Sequence, residues 1–322
     1  MPKTSHKREE KDQKSPKPAP QGSLMDQAKE VYHNKKLNLQ LESESKKASI
    51  YKFAVVLDYI AYNHTLPGIK NEPRVKMTHL VNFQKGTSLI FFSTLCLYLE
   101  AFEPIHIVYV ALHGGYGIIW ILKFLVFRDK SFDRMIPLTT AFNVALILFF
   151  YWMIGVMCLT KKFENNRFTT ERIFWAILAN LVGTVIMIGS DVQKGTQLEF
   201  KKGLISTGFF SRTRNPNYLG EMLLYGAFAI LSADWRSWGI LGFVWCTLFL
   251  QNMALKELSF MQKKGWIEYR EQTLMILPRL VRGDGGLNWA LNYVIYGGLA
   301  VAGKVVYDCG GVIGVFEMLA RA

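Results

Sequence analysis

Residues 212–221, Arg-Thr-Arg-Asn-Pro-Asn-Tyr-Leu-Gly-Glu, stand at the mouth of an apolar run and concentrate side chains that can bind and position a charged ligand. Asn215 is placed to cap a helix whose first residue is Pro216, where the missing N–H costs nothing and the fixed φ suits the helix. Unpaired N–H groups at that start, the positive end of the helix dipole and the guanidinium forks of Arg212 and Arg214 together suit an anion, phosphate above all. Inside the helix, Tyr218, Glu221 and Tyr225 are three and four residues apart and share one face. A carboxylate one turn into an apolar helix is costly unless it faces a polar cavity or a partner, so Glu221 is a candidate for function. The plain alternative is an interfacial helix start in which Glu221 pairs with a structural lysine.

A second constellation lies upstream. His106, Tyr109, His113, Tyr116, Trp120 and Lys123, laid out along a helix, fall within a sector roughly 100° wide. On an otherwise apolar helix this stripe faces either a cavity, with His113 and Tyr116 as its reactive members, or a hydrogen-bonded seam between helices. It is not expected to hold a metal. His106 and His113 are seven residues, roughly 10 Å, apart along the helix, too far to share one ion. Cys96, Cys158, Cys246 and Cys309 each lie alone in an apolar segment, which supports neither zinc nor a disulfide framework. No dinucleotide glycine motif follows a strand, and no Walker loop or Gly-x-Ser-x-Gly elbow occurs.

The elements that must position these groups are membrane helices. Half of the 322 residues are hydrophobic, and they come in blocks of spanning length, about 87–102, 105–127, 138–159, 173–189, 218–233 and 238–254. The fold class expected is an all-α polytopic membrane bundle of about six spans with a glycine-rich C-terminal helical element. The net charge of +13 sits in the segments between the blocks, which points to membrane lipid headgroups and topology control and not to nucleic acid. Basic stretches at 128–134, 191–214 and 256–282 alternate with a turn at Glu100 and Glu103 that has none, so both termini are expected on one side. The loop 161–172, with four basic residues, dissents.

Four regions follow from these shifts in composition. Residues 1–48 form a charged tail, disordered or partner-bound, with no apolar core of the kind a signal peptide needs and too many acidic residues for an ordinary mitochondrial presequence. Residues 49–85 form an amphipathic or interfacial segment and 86–282 the helical domain. Residues 283–322, rich in glycine from Gly297 to Gly314, form an extension that reads as a packing element or a partner surface.

The string Pro216-Asn217-Tyr218-Leu219-Gly220-Glu221 resembles the Pro-Asn-Tyr-x-Gly-Glu segment of the membrane steroid 5α-reductases. Their wider superfamily includes sterol reductases, isoprenylcysteine carboxyl methyltransferases and phospholipid methyltransferases. Gly189-Ser190-Asp191 at a span end and the Gly208-Phe209 turn are similar to the reductases. Gly265 to Arg270 followed by Leu277-Pro278 is similar to the closing signature of the superfamily, and Ala111 to Trp120 resembles a segment of its uncharacterised steroid-reductase-like branch. The likeness spans roughly 111–278. It implies a helical bundle whose C-terminal half encloses a cofactor, with Asp191, Arg212, Arg214, Asn215, Asn217, Tyr218, Glu221, Tyr269 and Arg270 lining it and Glu221 and Tyr218 near the chemistry, to which the stripe on the second span would add His113 and Tyr116. The chain departs from the pattern twice. The His-His pair of the 5α-reductases is missing, and Lys256-Glu257 and Arg214-Asn215-Pro216 replace the Glu-Glu and Arg-His-Pro strings of the methyltransferases.

Three functions fit these features. The first is an NADPH-dependent reductase of a lipidic, steroid-like or acyl, double bond, favoured by the resemblance of the full string Asn215 to Glu221 and because the basic rim suits a cofactor with several phosphates. The second is a methyltransferase that uses S-adenosylmethionine on a lipid or prenylcysteine. The third binds no cofactor and is a lipid-binding or structural subunit of a larger membrane complex, with protein partners on the N-terminal and C-terminal extensions. The resemblance implies the endoplasmic reticulum, with the mitochondrial inner membrane as the alternative.

Overall fold

The computed structural model describes residues 49–63, 72–283, 286–309 and 311–321. The charged tail expected over 1–48 lies outside the described residues. The chain is an all-α bundle. Its elements are α1 (Ser49–Asn63), β1 (Val75–Lys76), α2 (Met77–Tyr98), α3 (Pro104–Val126), β2 (Met135–Ile136), α4 (Leu138–Leu159), α5 (Arg167–Phe200), α6 (Pro216–Ser232), α7 (Trp235–Val244), α8 (Leu250–Phe260), α9 (Trp266–Gln272), α10 (Gly286–Asp308) and α11 (Val312–Arg321). A π turn at Trp245–Phe249 joins α7 to α8, which makes them one rod. The two short strands pair antiparallel, Val75 opposite Ile136 and Lys76 opposite Met135, and tie the start of α2 to that of α4.

Local chemistry sets the helix starts. Pro104 opens α3 at the position where a missing N–H is harmless. The Asn166 side chain accepts from the Thr169 N–H at 3.1 Å to start α5, and Asp234 accepts from the Arg236 N–H at 2.9 Å to start α7. Asn215 holds the cap position of α6, but its side chain caps nothing, because its Nδ2 donates to the Met275 carbonyl at 3.0 Å instead.

α6 is the axis of the bundle. Leu224, Tyr225, Ala227, Phe228, Ala229 and Leu231 are all buried, which covers the helix on every side, as expected of an element enclosed by other helices. α5 lies against it backbone to backbone. A Cβ on Gly183 would sit 2.6 Å from the Gly220 carbonyl oxygen, and one on Gly220 would sit 2.5 Å from the Met187 nitrogen, so only glycine permits this approach.

Among the described residues five helical stretches are long and apolar enough to cross a membrane: α3, α4, α5, the α7–α8 rod and α10. This is an integral membrane protein. Two of the six expected spans are not among the five, for physical reasons. α2 begins ten residues before the expected apolar block and carries His79, Asn82, Gln84 and Lys85 in its first half, while α6 has only 17 residues. The boundary placed after residue 85 therefore falls inside a continuous helix. α10, in the glycine-rich extension, is an additional spanning candidate.

The segments that join the helices gather at two ends of the bundle. The basic end joins residues 201–215 to 263–281: Lys263 Nζ donates to the Gly203 carbonyl at 3.1 Å, and the Arg279 N–H donates to the Arg212 carbonyl at 2.8 Å. At the other end Lys161 Nζ donates to the Ala233 carbonyl at 2.7 Å, and the Phe163 N–H donates to Glu103 at 2.8 Å. The dissenting loop thus lies opposite Lys201, its charge taken up by Ala233 and by an Arg167–Glu317 ion pair at 2.8 Å. α11 docks at this same end through the Val312 N–H, which donates to Glu171 at 3.0 Å. α1 packs on the basic end of α8 through Tyr51, Ala54 and Val55 against Ala254 and Leu258. The two outermost helices are therefore at opposite ends, contrary to the expectation for the termini, because α10 adds a traverse.

Candidate functional site

A cavity of about 360 Å³ lies at the basic end between α2, α3, α4, α5, α6 and α8, within the size range of small-molecule sites. One wall is apolar, built from Val144, Ile147 and Leu148 of α4 with Leu248 and Phe249 of the rod. The facing wall is polar and comes from α6: Asn217, Tyr218, Glu221 and Tyr225 all line the cavity, so the shared face expected of this helix is the face that meets the open space. Glu221 makes no hydrogen bond or ion pair among the described residues, and the cations whose fields reach it are Lys85, Lys123 and Lys256. Lys256 Nζ stands 4.4 Å from the centre of the Tyr218 ring, and the Phe249 ring packs on the same ring at 4.9 Å.

The inner end is organised by Lys85. α2 can bring it this deep because Gly117 of α3 lacks a Cβ, which would collide with the Lys85 carbonyl. Lys85 Nζ donates to the Tyr116 hydroxyl at 2.5 Å and to the Tyr225 hydroxyl at 2.8 Å, and it lies 4.5 Å from the centre of the Trp120 ring. Among the described residues no carboxylate oxygen comes within 4.0 Å of it. Tyr151 stacks on Tyr225 at 4.0 Å and fixes that ring. Toward the mouth, Asp191 pairs with Lys123, and Lys194 lies 3.6 Å from Asp129.

The remaining residues singled out in the sequence fall elsewhere. His113 is enclosed off the cavity, its Nδ1 2.9 Å from the Tyr109 hydroxyl and its ring stacked on Phe228 at 4.3 Å. His106 Nε2 is 2.9 Å from the Lys161 carbonyl oxygen, and Trp120 Nε1 donates to Asn82 at 2.9 Å. The polar stripe of α3 is thus a hydrogen-bonded seam that meets the cavity at Trp120 and, through Lys85, at Tyr116.

The arginines are committed to the protein itself. Arg214 Nε donates to Glu257 at 2.5 Å and its Nη1 to the Thr273 carbonyl at 2.7 Å, while Arg212 Nη1 donates to the Arg279 and Leu280 carbonyls at 3.0 and 3.2 Å. Tyr269 donates to the Phe210 carbonyl at 2.9 Å, and burial pushes its phenol up against the opposing field of Arg214. Tyr51 of α1 donates to Glu257 at 3.3 Å, and burial followed by the Glu257 charge pushes its phenol up to about 12. Arg270, half-buried on α9, does not line the cavity. Asp191 pairs with Lys123 and not with Arg214. The closing segment therefore acts as a clasp over residues 210–215.

Lys85, Tyr151 and Asn252 were missed by sequence reasoning. The signal for Lys85 was present: Met77, Val81, Lys85, Ser88 and Phe92 recur at helical spacing and all are buried, but the charge makes an apolar-run search begin after it. Among the described residues no group of three or more His, Cys, Asp or Glu side chains is placed to hold a metal.

Fold and site together define a polytopic membrane protein with a polar-ended cavity inside its helical bundle. Residues 72–273 match the family model described as protein of unknown function (DUF1295), and the chain belongs to that family. The family is part of the steroid 5α-reductase-like superfamily. No curated protein and no solved structure matches the chain.

Proposed function

We propose that the protein is a membrane-embedded, NADPH-dependent reductase of a double bond in a lipidic substrate. The observation that carries this reading is that Asn217, Tyr218 and Glu221, the polar side chains of the Pro-Asn-Tyr-Leu-Gly-Glu string, all line a cavity whose opposite wall is apolar. The residues fit the cofactor in charge. Lys85, Arg134, Lys194 and Lys256 on the cavity are basic, against Asp129, Asp191 and Glu221, and Asp191 and Asp129 already face Lys123 and Lys194. That balance suits phosphates better than the cationic sulfur of S-adenosylmethionine. Lys194 and Lys256 would hold phosphate, and Asn217 and Glu221 would hold the nicotinamide carboxamide. Bound NADPH supplies the hydride, and the protein supplies orientation and electrostatics.

The chain's own contribution is threefold. Val144, Ile147, Leu148 and Leu248 receive the apolar body of the substrate and exclude water. The Tyr225 hydroxyl, which lines the cavity and is oriented by Lys85, is a donor for a substrate oxygen as charge develops there. The clasp formed by Arg214, Glu257 and Thr273 holds the start of α6, and hence Asn217 and Glu221, in register. Full-length protein in lipid nanodiscs, given NADPH and a long-chain enone, should consume NADPH in a substrate-dependent way. Methyl transfer from S-adenosylmethionine without NADPH consumption would replace this reading, and binding of neither cofactor would leave a lipid-binding or structural subunit.

A further inference from the structure

We infer that Lys85 is a covalent attachment site for a lipid aldehyde or ketone. A lysine retained as a structural cation inside a membrane bundle is expected to sit on a carboxylate, as Lys123 does on Asp191. Lys85 does not. Lys85 is 6% exposed and lines the cavity, and among the described residues its amine donates to the two phenol oxygens of Tyr116 and Tyr225 and lies against the Trp120 ring. A primary amine in an apolar, water-poor pocket is the arrangement in which lysines act as carbonyl nucleophiles. The apolar wall of Val144, Ile147 and Leu148 offers room for the chain that carries the carbonyl.

The step balances without any co-reactant. The amine nitrogen adds to the carbonyl carbon, a C=N bond replaces the C=O bond, and the oxygen leaves as water with the two amine protons. Tyr225, 2.8 Å from the nitrogen, is placed to donate its hydroxyl proton to the departing oxygen and to recover one from the amine. Glu221 lines the same space and supplies the negative charge that a protonated imine requires. The inference rests on the cavity alone and not on the reductase reading, so its test contains no nucleotide.

Full-length protein in nanodiscs would be incubated with hexadecanal, reduced with borohydride and mapped by peptide mass spectrometry. One reduced adduct is expected at Lys85, in at least ~10-fold excess over exposed Lys52, the scale set by concentrating an alkyl chain in an apolar pocket. The adduct should be lost in Lys85→Arg and slowed in Tyr225→Phe. The wild-type map decides on its own if either variant fails to fold. Adducts spread over exposed lysines with none at Lys85, or concentrated on Lys256 instead, would overturn the inference.

Discussion

Arg214 looks in the sequence like a phosphate ligand, and in the folded chain it is half of a buried ion pair, so its replacement should be read out first in stability. The residue is 7% exposed, and its guanidinium meets Glu257 at 2.5 Å and the Thr273 carbonyl at 2.7 Å and lies 5.6 Å from the centre of the Trp266 ring. Arg214→Ala leaves the carboxylate of Glu257, a residue 3% exposed, with the Tyr51 hydroxyl at 3.3 Å as its one remaining hydrogen-bond donor among the described residues. Stranding one partner of a buried pair costs about 3–5 kcal/mol, whereas replacing both with apolar groups costs far less. For a domain of this size that is a fall in Tm of roughly 10 °C. Arg214→Ala and Glu257→Ala should each produce such a fall in detergent, and the double variant should lose clearly less than their sum. If Arg214→Ala melts like the wild type while NADPH affinity drops by about 1.5–3 kcal/mol, the size of one charge-assisted contact, then Arg214 meets the ligand and not Glu257.

Further outcomes are expected at separate points of the fold. Gly220→Leu should destabilise by at least ~1–3 kcal/mol in thermal unfolding, because the new side chain has no room against Gly183 and Met187; wild-type stability would mean that α5 and α6 do not meet there. Tyr225→Phe should lower substrate-dependent NADPH consumption by at least ~10²-fold, the scale of a positioned proton donor, with nucleotide binding retained; unaltered turnover would remove the hydroxyl from the chemistry. The Arg236 side chain, through its hydrogen bonds, holds the Asp234 carboxyl at about 2, below its unfolded value. Its capping contribution should therefore be complete above about pH 4 and fade as the pH falls toward 2, so Asp234→Asn should flatten that acid limb of the melting curve. Single cysteines at Asn165 and Glu317 should be labelled from one side of the membrane and one at Lys201 from the other; Glu317 labelled together with Lys201 would contradict the placement of α11.

The bundle was legible in the sequence because apolar blocks of spanning length have few other uses, and the face of α6 was legible because Tyr218, Glu221 and Tyr225 recur at helical spacing. What escaped depends on partners distant in the chain. Lys85 hid because a charge within a helix interrupts the apolar run, and what admits it is Gly117 on a different helix. Arg212 and Arg214 read as anion ligands because a local string cannot show that Glu257, Thr273 and Arg279 reach back to satisfy them. His113 read as reactive for a similar reason: helical spacing shows which residues share a face, but not that Phe228 closes over this one. The span count shifted because α6, enclosed by protein, needs less length than a lipid-facing helix, while α10 satisfies length and hydropathy in a segment set aside for its glycines.

Titration calorimetry on the purified full-length protein tests most directly whether the α6 wall of the cavity holds NADPH through Glu221. NADPH should bind and S-adenosylmethionine should not, and Glu221→Gln, which keeps the volume and removes the charge, should weaken NADPH by about tenfold or more, as expected for one lost bond to a charged group. NADPH bound equally well by wild type and Glu221→Gln, or S-adenosylmethionine bound in its place, would contradict it.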